Sequence, residues 1–429
     1  MRNKFFILIS LFITIFTLSS CGGRQTLLFL NWGEYIDEEL IEKFEEKENC
    51  TVLMDLGESN EIFYSKLKAG TTVYDVICPS DYMVIKMYQN NLLEKLDFSK
   101  FDTYNPESEN IRLGVKSIFN DMKERSNDDI INYFVPYLWG TWGIMYETYS
   151  KELENKILTN ENEWSCLFDR SSIPTGTKVA MYDSHQHAYY AACRYLGYSI
   201  SDELPQSNLD KIKSLVSTMK YNAWGTDSIK KDIVAGNIDL GFMWTGDFLY
   251  YYAERIADIV NEALEEGEFE KGNEVEGMIN MINTLTSDGR IYKGKNKEYQ
   301  IGFDLYIPSD TIAFCDNLVI SKDAQNKELA YKFINFMTSY EIDEETPAYD
   351  NTYYVCYDTP YIDVYKELLA LEDEDTFDTD NYYDAIYDYA IGISFRKYYP
   401  LNTKKGNILA TFDRQYIKQI NTTFNNART

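Results

Sequence analysis

Aromatic and acidic residues gather at the ends of four apolar runs. Trp32, Glu34 and Tyr35 follow Leu27–Leu30; Ser80 and Tyr82 follow Val73–Cys78; Trp244 and Asp247 close the run from Ile238; and Asp316 ends the run from Thr311, two places after Phe314. In open α/β sheets ligands bind beyond the carboxyl ends of the strands, so these residue types in these places predict a box of aromatic walls and carboxylates. Aromatic faces attract an ammonium by about 0.5–2 kcal/mol each. Their flat surfaces also cover methylene groups between amines. Carboxylates offset the desolvation of each buried ammonium, and Glu34, Asp247 and Asp316 are the acids placed to do so. Taken singly, each residue also fits a structural role, with Trp32 and Trp244 as core aromatics and the acids as helix caps. Together they suit a linear amine with more than one ammonium.

Other chemistries fit less well. Paired carboxylates between aromatic walls also describe glycoside hydrolases, whose acids stand about 5–9.5 Å apart. The chain has no Ser/His/Asp order, no glycine-rich phosphate loop and no metal-ligand spacing, so no catalytic residue is assigned and no enzyme is expected. His185 and His187 are the only histidines. On a strand their rings would share a face and on a helix they would diverge; a closed zinc site needs about four ligands, and no second pair stands nearby. No metal or cofactor is expected. A surface protein that only touches another protein would leave the strand-end box without a purpose.

The balance of charge agrees with a cationic ligand. Against 41 Lys and Arg the 429 residues carry 69 Asp and Glu, a net charge of −28. Such a field disfavours nucleic acid and anions and attracts cations. Arg2 and Lys4 precede an apolar run from Phe5 to Leu18, which reads as an export signal and is shorter than the ~20 residues of a comfortable membrane span. Leu18-Ser19-Ser20-Cys21 resembles the lipobox of bacterial lipoproteins, so residues 1–20 are expected to be removed and Cys21 to be acylated. The mature charge would then be 39 − 69 = −30. The other cysteines, Cys50, Cys78, Cys166, Cys193, Cys315 and Cys356, form no C-x-x-C pair, and buried thiols fit them as well as disulfides do.

The elements that must position these residues alternate. Leu27–Leu30, Thr51–Leu56 and Val73–Cys78 read as strands, each followed by a helical pattern: from Asp37 through Phe44, through Phe63 and Leu67, and through Ile85 and Tyr88. This repetition predicts parallel β-α units. Residues 136–143, rich in aromatics and glycine, suit a crossing between lobes. Lys178–Tyr182, the helix to Leu196 and the strand Ile238–Trp244 form a second α/β set. Residues from about 257 to 300 read as a polar insertion, and the Asp- and Tyr-rich tract from Glu372 to Tyr389 as a solvated loop or helix face.

Asn31-Trp32-Gly33-Glu34-Tyr35, Glu58-Ser59-Asn60-Glu61, Tyr74-Asp75-Val76 with Pro79-Ser80-Asp81-Tyr82, Pro136-Tyr137-Leu138-Trp139-Gly140-Thr141, Leu196-Gly197-Tyr198 and Phe314-Cys315-Asp316 resemble, in order, successive motifs of the bacterial spermidine/putrescine-binding proteins. The likeness runs from residue 26 to about 360. It implies an α/β two-lobe periplasmic-binding-protein fold (type II), each lobe a mainly parallel sheet flanked by helices, with the ligand in the cleft between them. By this resemblance residues 21–26 form a linker, 27–136 with about 317–350 form lobe 1, and 137–316 with about 351–429 form lobe 2. It assigns Trp32, Tyr82, Trp244 and Phe314 as walls, Ser80 and Tyr35 as hydrogen-bonding groups, and Glu34, Asp247 and Asp316 as amine acceptors, with Tyr353 matched to a further tyrosine. Trp244-Thr245-Gly246-Asp247 is similar to the putrescine-preferring branch. Ser184 and His187 stand where the family places acids, unless Asp183 takes that place by a shift of one residue, and Phe314 stands where tryptophan is frequent. These departures imply a diamine such as putrescine in preference to spermidine. The resemblance further implies an extracytoplasmic, lipid-anchored monomer that delivers its ligand to the membrane permease of an ABC transporter and hydrolyses nothing itself.

Overall fold

The run Leu27–Leu30 becomes the middle of strand β1 (Gln25–Asn31), whose Leu27, Phe29 and Leu30 are fully buried, as expected of a parallel strand covered on both faces. This computed structural model describes residues 24–102, 104–287, 290–373, 377–400, 408–410 and 412–428; Cys21 and the expected signal segment lie outside them. The remaining strands are β2 (Cys50–Leu56), β3 (Val76–Ile77), β4 (Val135–Glu147), β5 (Val179–Tyr182), β6 (Ala223–Gly225), β7 (Leu240–Trp244), β8 (Ile291–Lys293), β9 (Glu298–Gln300), β10 (Phe303–Tyr306) and β11 (Ala313–Ile320). One mixed sheet runs β2-β1-β3-β11-β4-β7-β5-β6, with β10 also paired to β4, while β8 and β9 form a separate hairpin.

Parallel pairing joins β1 to β2 and β3 in one half and β5 to β6 and β7 in the other. The antiparallel β4 and β11 link the halves: β4 pairs with β11 along its first part and with β7 and β10 along its second. Of the strand expected over Val73–Cys78 only Val76 and Ile77 are regular, and the carboxylate of the preceding Asp75 turns to the backbone. It accepts from the N–H of Leu28, Gln325 and Asn326 at 3.0, 2.8 and 2.8 Å. Asp37 and Ser59 cap the first two helices, Glu38–Glu48 and Asn60–Ala69, by accepting from the backbone N–H of Glu39 and Ile62, which stabilises each start by about 1 kcal/mol.

The register between β4 and β11 slips at one point: Asp316 pairs with Leu138 but Asn317 with Pro136, leaving Tyr137 as the extra residue. Such a bulge re-aims side chains and bends its strand. Nearby, the fully buried Arg112 pairs with Asp358, donates to the Tyr399 carbonyl at 2.8 Å and stacks over Tyr365 at 3.9 Å. Asp358 in turn accepts the Trp139 N–H through its carbonyl at 2.8 Å, so this ion pair pins the chain after the helix Pro347–Val355 onto β4.

Residues 257–300, expected as a polar insertion, carry apolar stripes. They begin inside the helix Thr245–Glu265, which buries Ala257, Ile259, Val260 and Ala263, and continue as the amphipathic helix Glu274–Thr286, which buries Met278, Met281, Ile282 and Leu285. Their charges occupy the outer faces, and averaging over the stretch hides the apolar stripe. From Tyr382 the Asp- and Tyr-rich tract is likewise a helix, Tyr382–Tyr398, with Ala385, Ile386 and Tyr389 buried. Cys50, Cys78, Cys166, Cys193, Cys315 and Cys356 are buried free thiols. No helix among the described residues is long and apolar enough to cross a membrane.

Candidate ligand-binding site

Asp316, at the register slip, is 5% exposed. Its Oδ1 accepts from Ser80 Oγ at 2.5 Å and its Oδ2 from the Tyr35 hydroxyl at 2.7 Å. Ser80 is itself fixed by Asn60, whose Nδ2 donates to Ser80 Oγ at 2.9 Å and whose Oδ1 accepts the Ser80 N–H at 3.0 Å. No lysine or arginine pairs with Asp316 among the described residues. Desolvation therefore pushes its carboxyl up to about 6, against the pull of the two hydroxyl donors. Beside it Asp81, also pushed up to about 7 by burial, accepts the N–H of Cys315 at 2.7 Å and braces the strand that carries Asp316. A buried carboxylate held by neutral donors is prepared for a cation.

Aromatic rings surround this acid. Trp244 meets Phe314 edge-on with centroids 5.0 Å apart, and Tyr357 stands 6.1 Å from Phe314 and 4.8 Å from Tyr35. The rings come this close because glycines clear the space: a Cβ on Gly140 would lie 3.0 Å from Phe314, and one on Gly246 would lie 2.3 Å from Tyr357. Behind Trp244 stand Trp142, Tyr182 and His187, with His187 5.3 Å from Trp244. Ser184 starts the helix His185–Leu196, and its hydroxyl lies 2.6 Å from His187 Nδ1. Desolvation lowers the His187 imidazole to about 4, so near neutrality it is an uncharged ring. Trp32 packs on Phe63 at 4.3 Å, and its Nε1 is buried.

Acids flank Asp316 on two sides. Towards Asn60, the Tyr82 hydroxyl donates to Glu61 Oε1 at 3.4 Å, and burial raises the Glu61 carboxyl. Towards Trp244, Asp247 in the first turn of its helix pairs with Lys230 at 3.0 Å, and Lys230 also lies 3.9 Å from Glu34. Lys230 is 5% exposed, on the helix Asp227–Val234. Glu34, in a left-handed backbone conformation (φ 52°), is the most open of these acids.

Tyr35, Ser80, Trp244, Phe314 and Asp316 thus meet from both halves of the sheet, with Ser184 and His187 behind Trp244, while Lys230 joins Asp247 to Glu34, Tyr82 stands against Glu61 and Trp32 against Phe63. Tyr353 stands apart. Its hydroxyl donates to Asp388 at 2.6 Å and its ring meets Tyr349 and Tyr387, while Tyr357 is the tyrosine that joins the cluster. The two histidines diverge, as a helix requires: His185 Nδ1 lies 3.1 Å from Asn421 and its ring stacks on Phe424. No group of metal-ligating side chains occurs among the described residues. Sequence reasoning passed over Glu61, Lys230 and Tyr357. Glu61 lay inside a quoted motif, whereas nothing in the pattern around Lys230 marked it as buried.

Comparison with known proteins follows the same line. A family described as hypothetical lipoprotein (MG045 family) matches residues 1–170. The spermidine/putrescine-binding periplasmic protein of Salmonella typhimurium is 27% identical over 230 residues, 52% of this chain and 60% of that protein, so the aligned stretch spans less than two thirds of that relative. The putrescine/cadaverine-binding protein of Pseudomonas aeruginosa is 25% identical over 73% of this chain and 75% of its own. Among solved structures, the spermidine/putrescine ABC transporter substrate-binding protein of Streptococcus pneumoniae superposes with a TM-score of 0.59, covering 94% of this chain and 98% of that one at 23% identity. These proteins are named for binding and not for catalysis. In sequence this chain is similar to the spermidine/putrescine-binding periplasmic proteins, and in architecture it has the α/β two-lobe periplasmic-binding-protein fold.

Proposed function

We propose that this chain is an extracytoplasmic receptor that captures a polyamine in the cleft at Asp316 and hands it to the membrane permease of an ABC transporter. The carrying observation is Asp316: a buried carboxylate held by Tyr35 and Ser80, walled by Trp244, Phe314 and Tyr357, and paired with no lysine or arginine among the described residues. An ammonium there replaces the missing counter-charge, and the rings cover its methylenes. The net charge of −28 draws cations to the cleft. Because β4 and β11 carry residues of both halves, closure of the lobes around the amine brings Asp316 and Trp244 onto one ligand. The neutral His187 favours a diamine such as putrescine over spermidine. The chain acts as a monomer tethered to the membrane by a lipid on Cys21. Calorimetric titration with putrescine, cadaverine, spermidine and a neutral oligosaccharide tests this reading. Heat of binding with the amines alone supports it, and no binding of any amine overturns it.

A further inference from the structure

Among the acids of the cleft, Asp316 and Glu61 pair with no lysine or arginine among the described residues, whereas Asp247 and Glu34 share an ammonium that the chain supplies itself. Lys230 is almost fully buried, reaches Asp247 at 3.0 Å and Glu34 at 3.9 Å, and lies 6.0 Å from the Tyr251 ring centroid. Carboxylates on two sides and an aromatic face nearby are the surroundings that a ligand ammonium would need. Glu34 follows β1 in one half of the sheet, and Lys230 and Asp247 flank β7 in the other, so the Lys230 ammonium stands between the halves, where a long amine would extend. Burying a second ammonium beside it would place like charges together, which costs free energy even in a partly hydrated cleft.

We infer that Lys230 is a specificity-determining residue, a resident ammonium that fills the third cation place of the cleft and restricts it to amines whose charges are met by Asp316 and Glu61. This rests on the polyamine-receptor reading and deepens it, since it names the charge count of the ligand: two ammonium groups and not three. The arrangement of acids supports that count. Asp316 connects to Ser80, Ser80 to Asn60, and Glu61 follows Asn60 and accepts from the Tyr82 hydroxyl. The two acids are thus joined through Ser80 and Asn60, with Tyr82 beside Glu61.

The test is the ratio of spermidine to putrescine affinity in the mature full chain, read by calorimetry for the parent, Lys230→Met and Lys230→Arg. The parent should bind putrescine at least as tightly as spermidine. Lys230→Met should tighten spermidine relative to putrescine by about tenfold or more, about 1.4 kcal/mol, and Lys230→Arg, which keeps the charge, should hold the parent ratio. An unchanged ratio in Lys230→Met, or an Arg variant that behaves like Met, overturns the inference. If Lys230→Met does not fold, Lys230→Gln is read in its place by the same criteria. Amines that bind the parent but not Asp316→Asn, with a ratio insensitive to Lys230, would leave the receptor reading standing and this inference refuted. No amine binding by a parent with a cooperative thermal transition would refute both.

Discussion

The Tyr35 hydroxyl donates to Asp316 Oδ2 at 2.7 Å across 281 positions of sequence, and this bond fixes the carboxylate beside the aromatic cluster. Replacing the acid separates binding from stability. In Asp316→Asn the ammonium loses its buried counter-charge, an effect of about 2 kcal/mol or more, so putrescine affinity should fall at least ~30-fold. The melting temperature near neutrality should hold level or rise, because the parent carries the cost of an ionised carboxylate with no cationic partner.

That cost has a definite pH dependence. Asp316 titrates at about 6 in the fold against an ordinary 3.8. The folded state therefore holds this proton more tightly than the unfolded state. Its contribution is most favourable below pH 4 and is lost as pH rises through 6, by about 3 kcal/mol in all. An ammonium reverses the preference, so amine binding expels the proton. Affinity for putrescine should weaken by up to about tenfold per unit as pH falls below 6. Calorimetry at pH 7, 6 and 5 measures this, and a profile as steep in Asp316→Asn as in the parent would move the effect to Asp81, whose carboxyl is pushed up to about 7.

The two tyrosines should part company. Tyr353→Phe removes a bond to Asp388 outside the aromatic cluster and is expected to cost about 1 kcal/mol of stability with amine affinity unchanged. Tyr357→Ala removes a ring set against Tyr35 and Phe314 and should weaken putrescine binding several-fold. Gly246→Ala should reproduce part of that loss, because its methyl would overlap the Tyr357 ring. Paired titrations and thermal melts separate these outcomes.

Arg112 and Asp358 are both fully buried, so breaking their pair leaves an uncompensated charge inside the protein. Arg112→Met is expected to lose about 3–5 kcal/mol of stability, measured as a fall in the urea midpoint, with the hydrogen bonds to the Tyr399 and Pro400 carbonyls lost as well.

Much of the frame was legible because it rests on local pattern. The apolar run of β1 names a strand buried on both faces, and the residues just past strand ends name a cleft. What escaped depends on backbone geometry or distant contacts. Cys356 ends its helix in the left-handed region at φ 58°, and the turn that follows carries Tyr357 back to Tyr35, so the participating tyrosine lies beyond a helix end that composition does not locate. Lys230 sits beside the buried Ile229 on a short helix, and only the approach of Glu34 from the other half of the sheet makes its surroundings a site. The stretch from 257 to 300 read as an insertion because its charges outnumber its apolar stripe, although that stripe packs the helix Thr245–Glu265 into the core.

The six interior cysteines set how this chain can mature. Burial pushes each of their thiols up, which suppresses the thiolate that attacks disulfides and alkylating reagents. In the fold these six thiols are free and buried, so an oxidant finds no exposed sulfur to attack. If the chain folds outside the cytoplasm, as proposed above, its assembly is a race between burying sulfur and oxidising it.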